Sequence, residues 1–198
     1  MRIIIATKNK GKMREFSRIL ADTGIDVLSQ EEAKVNIDVL ETGTTFSENA
    51  YIKAKAVCDA TGAVAVADDS GLAVEALNGA PGVYSARYGG ESMNYNDKIT
   101  KLLSEIESTG TNNRNAKFVC AICACFPNGE SFTVTGECHG TVGYEQKGNN
   151  GFGYDPIFMV GSKSFSEISD DEKDKISHRG IALRKFIRIF NEYIDMQN

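Results

Sequence analysis

The apolar segment Ala63-Val64-Ala65-Val66-Ala67 runs straight into two adjacent acids, Asp68-Asp69, followed by Ser70-Gly71. The apolar run predicts a buried strand that ends at the acid pair. Two carboxylates at the margin of a core are costly unless they are solvated or paired. Strand ends of α/β sheets are where ligands commonly sit. One acid can hold a hard cation such as Mg²⁺ while the other orients or deprotonates a water. The plain alternative is a tight turn that uses Asp and Gly for their turn geometry.

The surrounding pattern alternates strands and helices. Met1 to Ala6 carries the strand pattern Ile3-Ile4-Ile5, and from Gly11 onward Met13, Phe16 and Leu20 recur on one helical face. A second strand is expected near Ile25 to Leu28. Thr45-Phe46-Ser47-Glu48 fits a capping box, so a helix is expected from there to about Asp59. Asn78 to Gly82 reads as a turn, Asn94 to Ser108 as a helix, and Ser108 to Asn113 as an exposed loop. Strands near Ala116–Phe126 and Ser131–Val142 flank Pro127-Asn128-Gly129, a hairpin signal. Gly148 to Gly153 is a glycine-rich loop, with a strand near Pro156 to Val160 behind it. Leu183, Phe186, Ile187, Phe190 and Ile194 mark a last helix, with Ser177 as its N-cap. These elements predict a single domain over 1–198, an α/β sheet of mixed direction.

Composition removes several classes. Net charge is −5, from 27 acidic and 22 basic residues, which speaks against a nucleic-acid partner. No apolar run approaches the roughly 20 residues of a membrane span. Five cysteines, an odd number without a visible secretory signal, predict free thiols and a cytoplasmic location. Cys120, Cys123 and Cys125 lie in an apolar strand pattern and are expected to act as small hydrophobes.

Four further motifs carry candidate chemistry. Thr7-Lys8-Asn9-Lys10-Gly11-Lys12 joins the first strand to the first helix. A helix N-terminus with nearby lysines suits phosphate, although this is not a Walker loop, since Met13 stands where Ser or Thr is needed. Glu41-Thr42-Gly43 precedes a helix on which Asn49 and Lys53 share a face; Glu41 suits a metal and Lys53 a phosphate. Gly151-Phe152-Gly153-Tyr154-Asp155 offers an aromatic ring for stacking on a base and an acceptor for its N–H edge. Ser177-His178-Arg179-Gly180, with Lys173 upstream, puts donors in a first helical turn where the dipole disfavours cations. His139 sits in a strand pattern and is read as structural.

Taken together, T-x-N-x-G-K, E-T-G-x-T-F-x-E-N-A-x-x-K-A, A-D-D-S-G-L, G-A-P-G-x-Y-S-A-R-Y, G-F-G-Y-D-P and S-H-R-G occur in this order and span nearly the whole chain. The chain thereby resembles the Ham1/RdgB-like family of inosine triphosphate pyrophosphatases. The resemblance implies an elongated mixed sheet flanked by helices, two lobes with a central substrate cleft, and a homodimer. It implies Mg²⁺-dependent hydrolysis of ITP, dITP or XTP to the monophosphate and pyrophosphate. By position it makes Asp69 the general base and a metal ligand, with Glu41 and Asp68 supporting the metal. It assigns phosphates to the Thr7–Lys12 loop and Lys53. It assigns the nucleotide and base to Ser70, Phe152, Gly153, Tyr154, Asp155, Lys173, His178 and Arg179. Hypoxanthine and xanthine present an O6 acceptor where adenine presents a donor, so His178 or Arg179 is expected to donate to O6 and reject ATP. The alternatives are a Maf-like pyrimidine nucleotide pyrophosphatase and a non-catalytic nucleotide-binding regulator.

Overall fold

In the computed structural model, which describes residues 1–197, seven strands form one sheet. The strands are β1 (Arg2–Ile5), β2 (Asp26–Ser29), β3 (Ala65–Val74), β4 (Asn115–Cys125), β5 (Ser131–Val142), β6 (Phe158–Val160) and β7 (Lys163–Ser164). The helices are α1 (Lys10–Leu20), α2 (Phe46–Thr61), α3 (Tyr95–Ser108), α4 (Asp170–Ile176) and α5 (His178–Gln197). Strand order is β2-β1-β3-β4-β5-β6-β7. β1 is parallel to β2 and β3, whereas β6 is antiparallel to β5 and β7, so the sheet is mixed as expected. The chain divides into two compact units, and β3, β4 and β5 each contribute residues to both.

Unit 1 comprises 1–69, 120–136 and the segment from His178 onward. Its inner strands β1, β3 and β4 are apolar on both faces, as befits strands covered on both sides. Ile3, Ile5, Val64, Val66, Cys120 and Ile122 pack with Phe16 and Leu20 of α1 and with Leu183, Phe186 and Phe190 of α5. The alternate residues Ile4, Ala65, Ala67, Ala121, Cys123 and Cys125 pack with Ala50, Ala54 and Val57 of α2. The period of two sorts each strand residue to one layer or the other. The same period settles the cysteines: Cys120 faces one layer, Cys123 and Cys125 the other, and all five thiols are buried and free.

Unit 2 comprises 70–119 and 137–177. Its core joins Leu72 and Val74 of β3 to Ile99, Leu102 and Ile106 of α3, and to Phe118, Phe158 and Phe165. The helix α4 is absent from the sequence expectation above. Its signal was present in Ser169-Asp170-Asp171-Glu172, which forms a full capping box.

The capping boxes make a pH-dependent contribution. Glu48 accepts from the Thr44 and Thr45 backbone N–H groups at 2.6 and 3.0 Å, and Glu172 from the Ser169 N–H at 2.9 Å. These bonds, the backbone bond from Thr44 or Ser169 first, lower both pKa values below 4.5. A carboxylate with a depressed folded pKa stabilises the fold above its unfolded value and loses that contribution as pH falls through the folded value. Glu48→Gln is therefore expected to be less stable than the parent at neutral pH and to converge with it in acid. Urea unfolding along a pH series measures this, and a difference that persists unchanged into acid would refute it.

Candidate active site

β3 does not stop at the acid pair. It continues through Asp68, Asp69, Ser70 and Gly71 to Val74, so neither the strand-end nor the turn expectation holds. Donors from three helices meet the acids and let the strand run on. Adjacent strand residues point to opposite faces. Asp68 therefore continues the Val64–Val66 layer and Asp69 the Ala65–Ala67 layer.

Asp68 is 1% exposed. Its Oδ2 accepts from Arg179 Nη2 at 2.8 Å and Nε at 3.2 Å, and Lys12 Nζ lies 3.1 Å away. Arg179 Nη1 in turn donates to Glu15, which is itself 4% exposed. Cys120 Sγ lies 3.8 Å from the same oxygen. Asp68 Oδ1 is buried without a hydrogen-bond partner among the described residues. Burial works to raise this carboxyl's pKa, but Lys12, Arg179 and Lys53 outweigh it and hold the group ionised far below the usual carboxylate range. Burial likewise opposes the Arg179 charge, and Asp68 and Glu15 overcome it.

On the opposite face, Asp69 Oδ2 accepts from Asn49 Nδ2 at 3.2 Å, and Oδ1 lies 3.4 Å from Lys53 Nζ. Lys53 also donates to Glu41 at 2.6 Å. Burial raises the Asp69 pKa, and Lys53 and Lys12 offset it only in part. Asn49 is fixed by accepting from the Gly43 N–H at 2.8 Å. A Cβ at position 43 would stand 2.7 Å from that amide oxygen, which explains the glycine of the E-T-G motif. Glu41, Asp68 and Asp69 do not converge: among the described residues no three His, Cys, Asp or Glu side chains surround one point. The strand pleat separates the two aspartates, and Lys53 stands between Glu41 and Asp69.

The Thr7–Lys12 loop opens α1 as expected. Asn9 is its N-cap, accepting from the Gly11 and Lys12 N–H groups at 2.8 and 3.1 Å, and Thr7 Oγ1 accepts from the Asn9 N–H at 3.2 Å. Lys12 reaches Asp68, whereas Lys8 pairs on the surface with Asp38 at 3.1 Å and Lys10 is exposed.

In unit 2, Ser70 follows the acids on β3, and the Gly151–Asp155 loop is closed by a buried ion pair. Asp155 Oδ2 accepts from Lys173 Nζ at 2.6 Å and from the Phe152 N–H at 2.8 Å. Lys173 Nζ stands 4.9 Å from the Phe152 ring centre. A Cβ at Gly151, whose φ is +76°, would meet Asp155 Oδ2 at 2.2 Å. The turn needs a residue without a side chain there. Tyr154 is buried and donates to the Ser85 carbonyl at 3.1 Å. In unit 1, His178 is buried in the first turn of α5. Packing there is close: a Cβ at Gly136 would lie 2.3 Å from the His178 carbonyl oxygen. His139, outside these clusters, lies on the surface 3.3 Å from Glu137.

The structure gives two of the expected binding residues partners within the protein and adds two residues. The Arg179 guanidinium is held by Glu15 and Asp68 and is 1% exposed, so it clamps Asp68. Asp155 is engaged by Lys173 and Phe152, so its placement is that of an anchor for the loop. Glu15 is a new member, and Asn49, read from the sequence only as sharing a face with Lys53, gains a role as the partner of Asp69. Glu15 carries a readable signal: it lies four residues after the buried Gly11 and beside Phe16, a charge on the buried stripe of α1.

Residues 3–189 match the Ham1 family. A dITP/XTP pyrophosphatase of Bacillus licheniformis is 47% identical over 192 residues, covering 96% of this chain and 98% of that protein. A protein of the same name from Bacillus subtilis is 46% identical, covering 94% and 95%. A HAM1 protein from Coxiella burnetii has the same fold with a TM-score of 0.88 at 40% identity, covering 97% of this chain and 99% of that one. A Staphylococcus aureus Ham1 protein gives 0.86 at 40% identity, covering 98% and 100%. The chain belongs to the Ham1 family.

Proposed function

We propose that this chain hydrolyses deaminated purine nucleoside triphosphates (ITP, dITP and XTP) to the monophosphate and pyrophosphate, with Mg²⁺ as cofactor. The observation that carries the proposal is the divided acid pair. Asp68 is enclosed by Lys12 and Arg179 on one face of β3, and Asp69 lies against Asn49 and Lys53 on the other, where a carboxylate can take a proton.

Asp68 Oδ1, a buried carboxylate oxygen with no hydrogen-bond partner among the described residues, fits a hard divalent cation. Because no three acidic side chains converge and the pleat turns Asp68 and Asp69 apart, Asp68 would supply the direct oxygen, and Asp69 and Glu41 would act on the cation through its waters. Mg²⁺ commonly completes its shell with water and substrate phosphates, and when bound it neutralises phosphate charge. Asp69 takes the proton of the attacking water at a carboxylate oxygen, and Asn49 and Lys53 hold that carboxylate in place. Attack at the α-phosphorus breaks the α–β anhydride and releases pyrophosphate. Lys12, Lys53 and the N–H groups of the Thr7–Lys12 loop carry the positive charge that such a polyanionic leaving group requires.

Base stacking falls to unit 2. Phe152, with Lys173 4.9 Å from its ring centre, offers a face for stacking, and His178 or Arg179 is the donor for an O6 acceptor. Adenine would set its own N6 donor against that donor, a mismatch that can discriminate by roughly 10⁴. Ser70 and Tyr154 complete the nucleotide contacts in unit 2. The resemblance adds a homodimer, and the free, buried cysteines speak for a reducing, cytoplasmic location. Among the described residues, no helix is long and apolar enough to cross a membrane.

A product-resolved panel of ITP, XTP, GTP, ATP, UTP and dTTP with Mg²⁺ tests this. The expected products are IMP and pyrophosphate from ITP, with ATP, UTP and dTTP poor substrates. Release of IDP and orthophosphate, or equal rates on ATP and ITP, would sink it.

A further inference from the structure

α3 carries a buried lysine that the chemistry above leaves unused. Lys98 is 3% exposed. Among the described residues its ammonium makes one hydrogen bond, to the Ala86 carbonyl, and stands 5.0 Å from the centre of the Tyr95 ring. A buried ammonium with one carbonyl and one aromatic face is a costly choice where a neutral side chain of similar length would pack. Its neighbours give the reason.

Tyr95 lies one helical turn before Lys98, and its ring reaches the Gly151–Asp155 loop. It meets Tyr154 edge-on with ring centres 5.6 Å apart. A Cβ at Gly153 would touch it at 3.5 Å. Burial and then the Asp155 charge raise its hydroxyl pKa, which places the ring within electrostatic reach of that carboxylate. Tyr154 in turn donates to the Ser85 carbonyl, next to Ala86 in sequence. Ser85 Oγ accepts from the Leu72 N–H at 2.9 Å and donates to Gly82. The contacts close a circuit: Lys98 to Ala86, Ser85 to Tyr154, Tyr154 to Tyr95, and Tyr95 back to Lys98. All of it lies in unit 2.

The loop needs such outside support. Gly151 and Gly153 have φ of +76° and +66°, so the turn has no side chains of its own at these positions to fix its shape. Asp155 and Lys173 brace one side of it. We propose that Lys98 and Tyr95 brace the other side, as positioning residues that hold the Gly151–Asp155 loop in the shape that admits a deaminated purine base and so set base discrimination. The proposal rests on the reading that this loop receives the base.

Three variants test it: Lys98→Met, Tyr95→Ala, and Tyr95→Phe as the conservative control. Each is assayed for ITP and GTP hydrolysis, for IMP binding by calorimetry, and for thermal unfolding. Lys98→Met and Tyr95→Ala are expected to raise the ITP KM and the IMP Kd about tenfold, with kcat changed by less than about threefold. They should also narrow the ITP-to-GTP ratio of kcat/KM. Tyr95→Phe keeps the ring and should keep all three values. If Lys98→Met does not fold, the Tyr95 pair decides. A merely structural role would lower the melting temperature and leave the ratio and the IMP Kd unmoved, and that result overturns the proposal while the parent enzyme still makes IMP. A parent enzyme that neither binds IMP nor hydrolyses ITP overturns both this proposal and the function it rests on.

Discussion

Replacing Arg179 with Met is expected to destabilise the protein by about 3–5 kcal/mol, the usual result of removing one partner from a buried ion cluster. That is a large part of a typical domain stability of roughly 5–15 kcal/mol. The guanidinium is enclosed and holds two carboxylates, Glu15 and Asp68, that are themselves buried. Without it, Asp68 keeps Lys12 and the more distant Lys53 as cations acting on it. The pH dependence supplies a second check. In the parent, the depressed Asp68 pKa adds stability above its unfolded value, and that contribution is lost as pH falls through the folded one. In Arg179→Met, Asp68 keeps Lys12 but loses another of the cations that offset its burial, so its folded pKa moves up toward the unfolded value. Less of the variant's stability then depends on that carboxylate being ionised, so its deficit should shrink as the pH is lowered. Urea unfolding at several pH values measures both effects. A loss below about 1 kcal/mol, the scale of an exposed pair, would show that Arg179 does not hold the acids.

This expectation has no counterpart in a local reading of the sequence. Ser177-His178-Arg179 marks a helix start, and donors against the dipole suggest a ligand. The structure supplies one from within the chain: Asp68 lies 111 residues away and Glu15 lies 164 away. The same distance in sequence explains the misread end of β3. A carboxylate pair halts a strand unless its partners are known, and those partners are Lys12, Asn49, Lys53 and Arg179. By contrast, the α2 cap, the start of α1 and the hairpin at Pro127–Gly129 were legible because each is decided within a few residues. Unit 2 shows the intermediate case. The glycine pattern of the Gly151–Asp155 loop marks a tight, chemically exposed turn, but nothing in its vicinity announces Tyr95 and Lys98, whose helix carries an ordinary amphipathic pattern.

Asp69→Asn is expected to lower kcat for ITP by about 10²–10⁴, the share a positioned general base contributes, while the protein unfolds at the same or a higher temperature. The two halves of that expectation share one cause. Burial raises the Asp69 pKa, so the fold favours its protonated form, and ionising it for catalysis works against stability as pH rises. A neutral amide of the same shape removes that opposition together with the base. The rate of the parent should also fall as pH drops through the raised Asp69 pKa, since only the carboxylate can take a proton. Asp68→Asn should behave in the opposite sense. Its carboxylate is held ionised by Lys12 and Arg179, so its removal takes a partner from the buried Arg179 and the partly buried Lys12 and lowers stability. Adjacent in sequence and alike in chemistry, the two residues are thereby separable by experiment. The separation comes from the pleat of β3, which turns one carboxylate to the cations of α1 and α5 and the other to Asn49 and Lys53 of α2. Should Asp69→Asn keep full turnover, or should the two variants lose stability equally, the division of labour across the strand would be wrong and the base must be sought at Glu41.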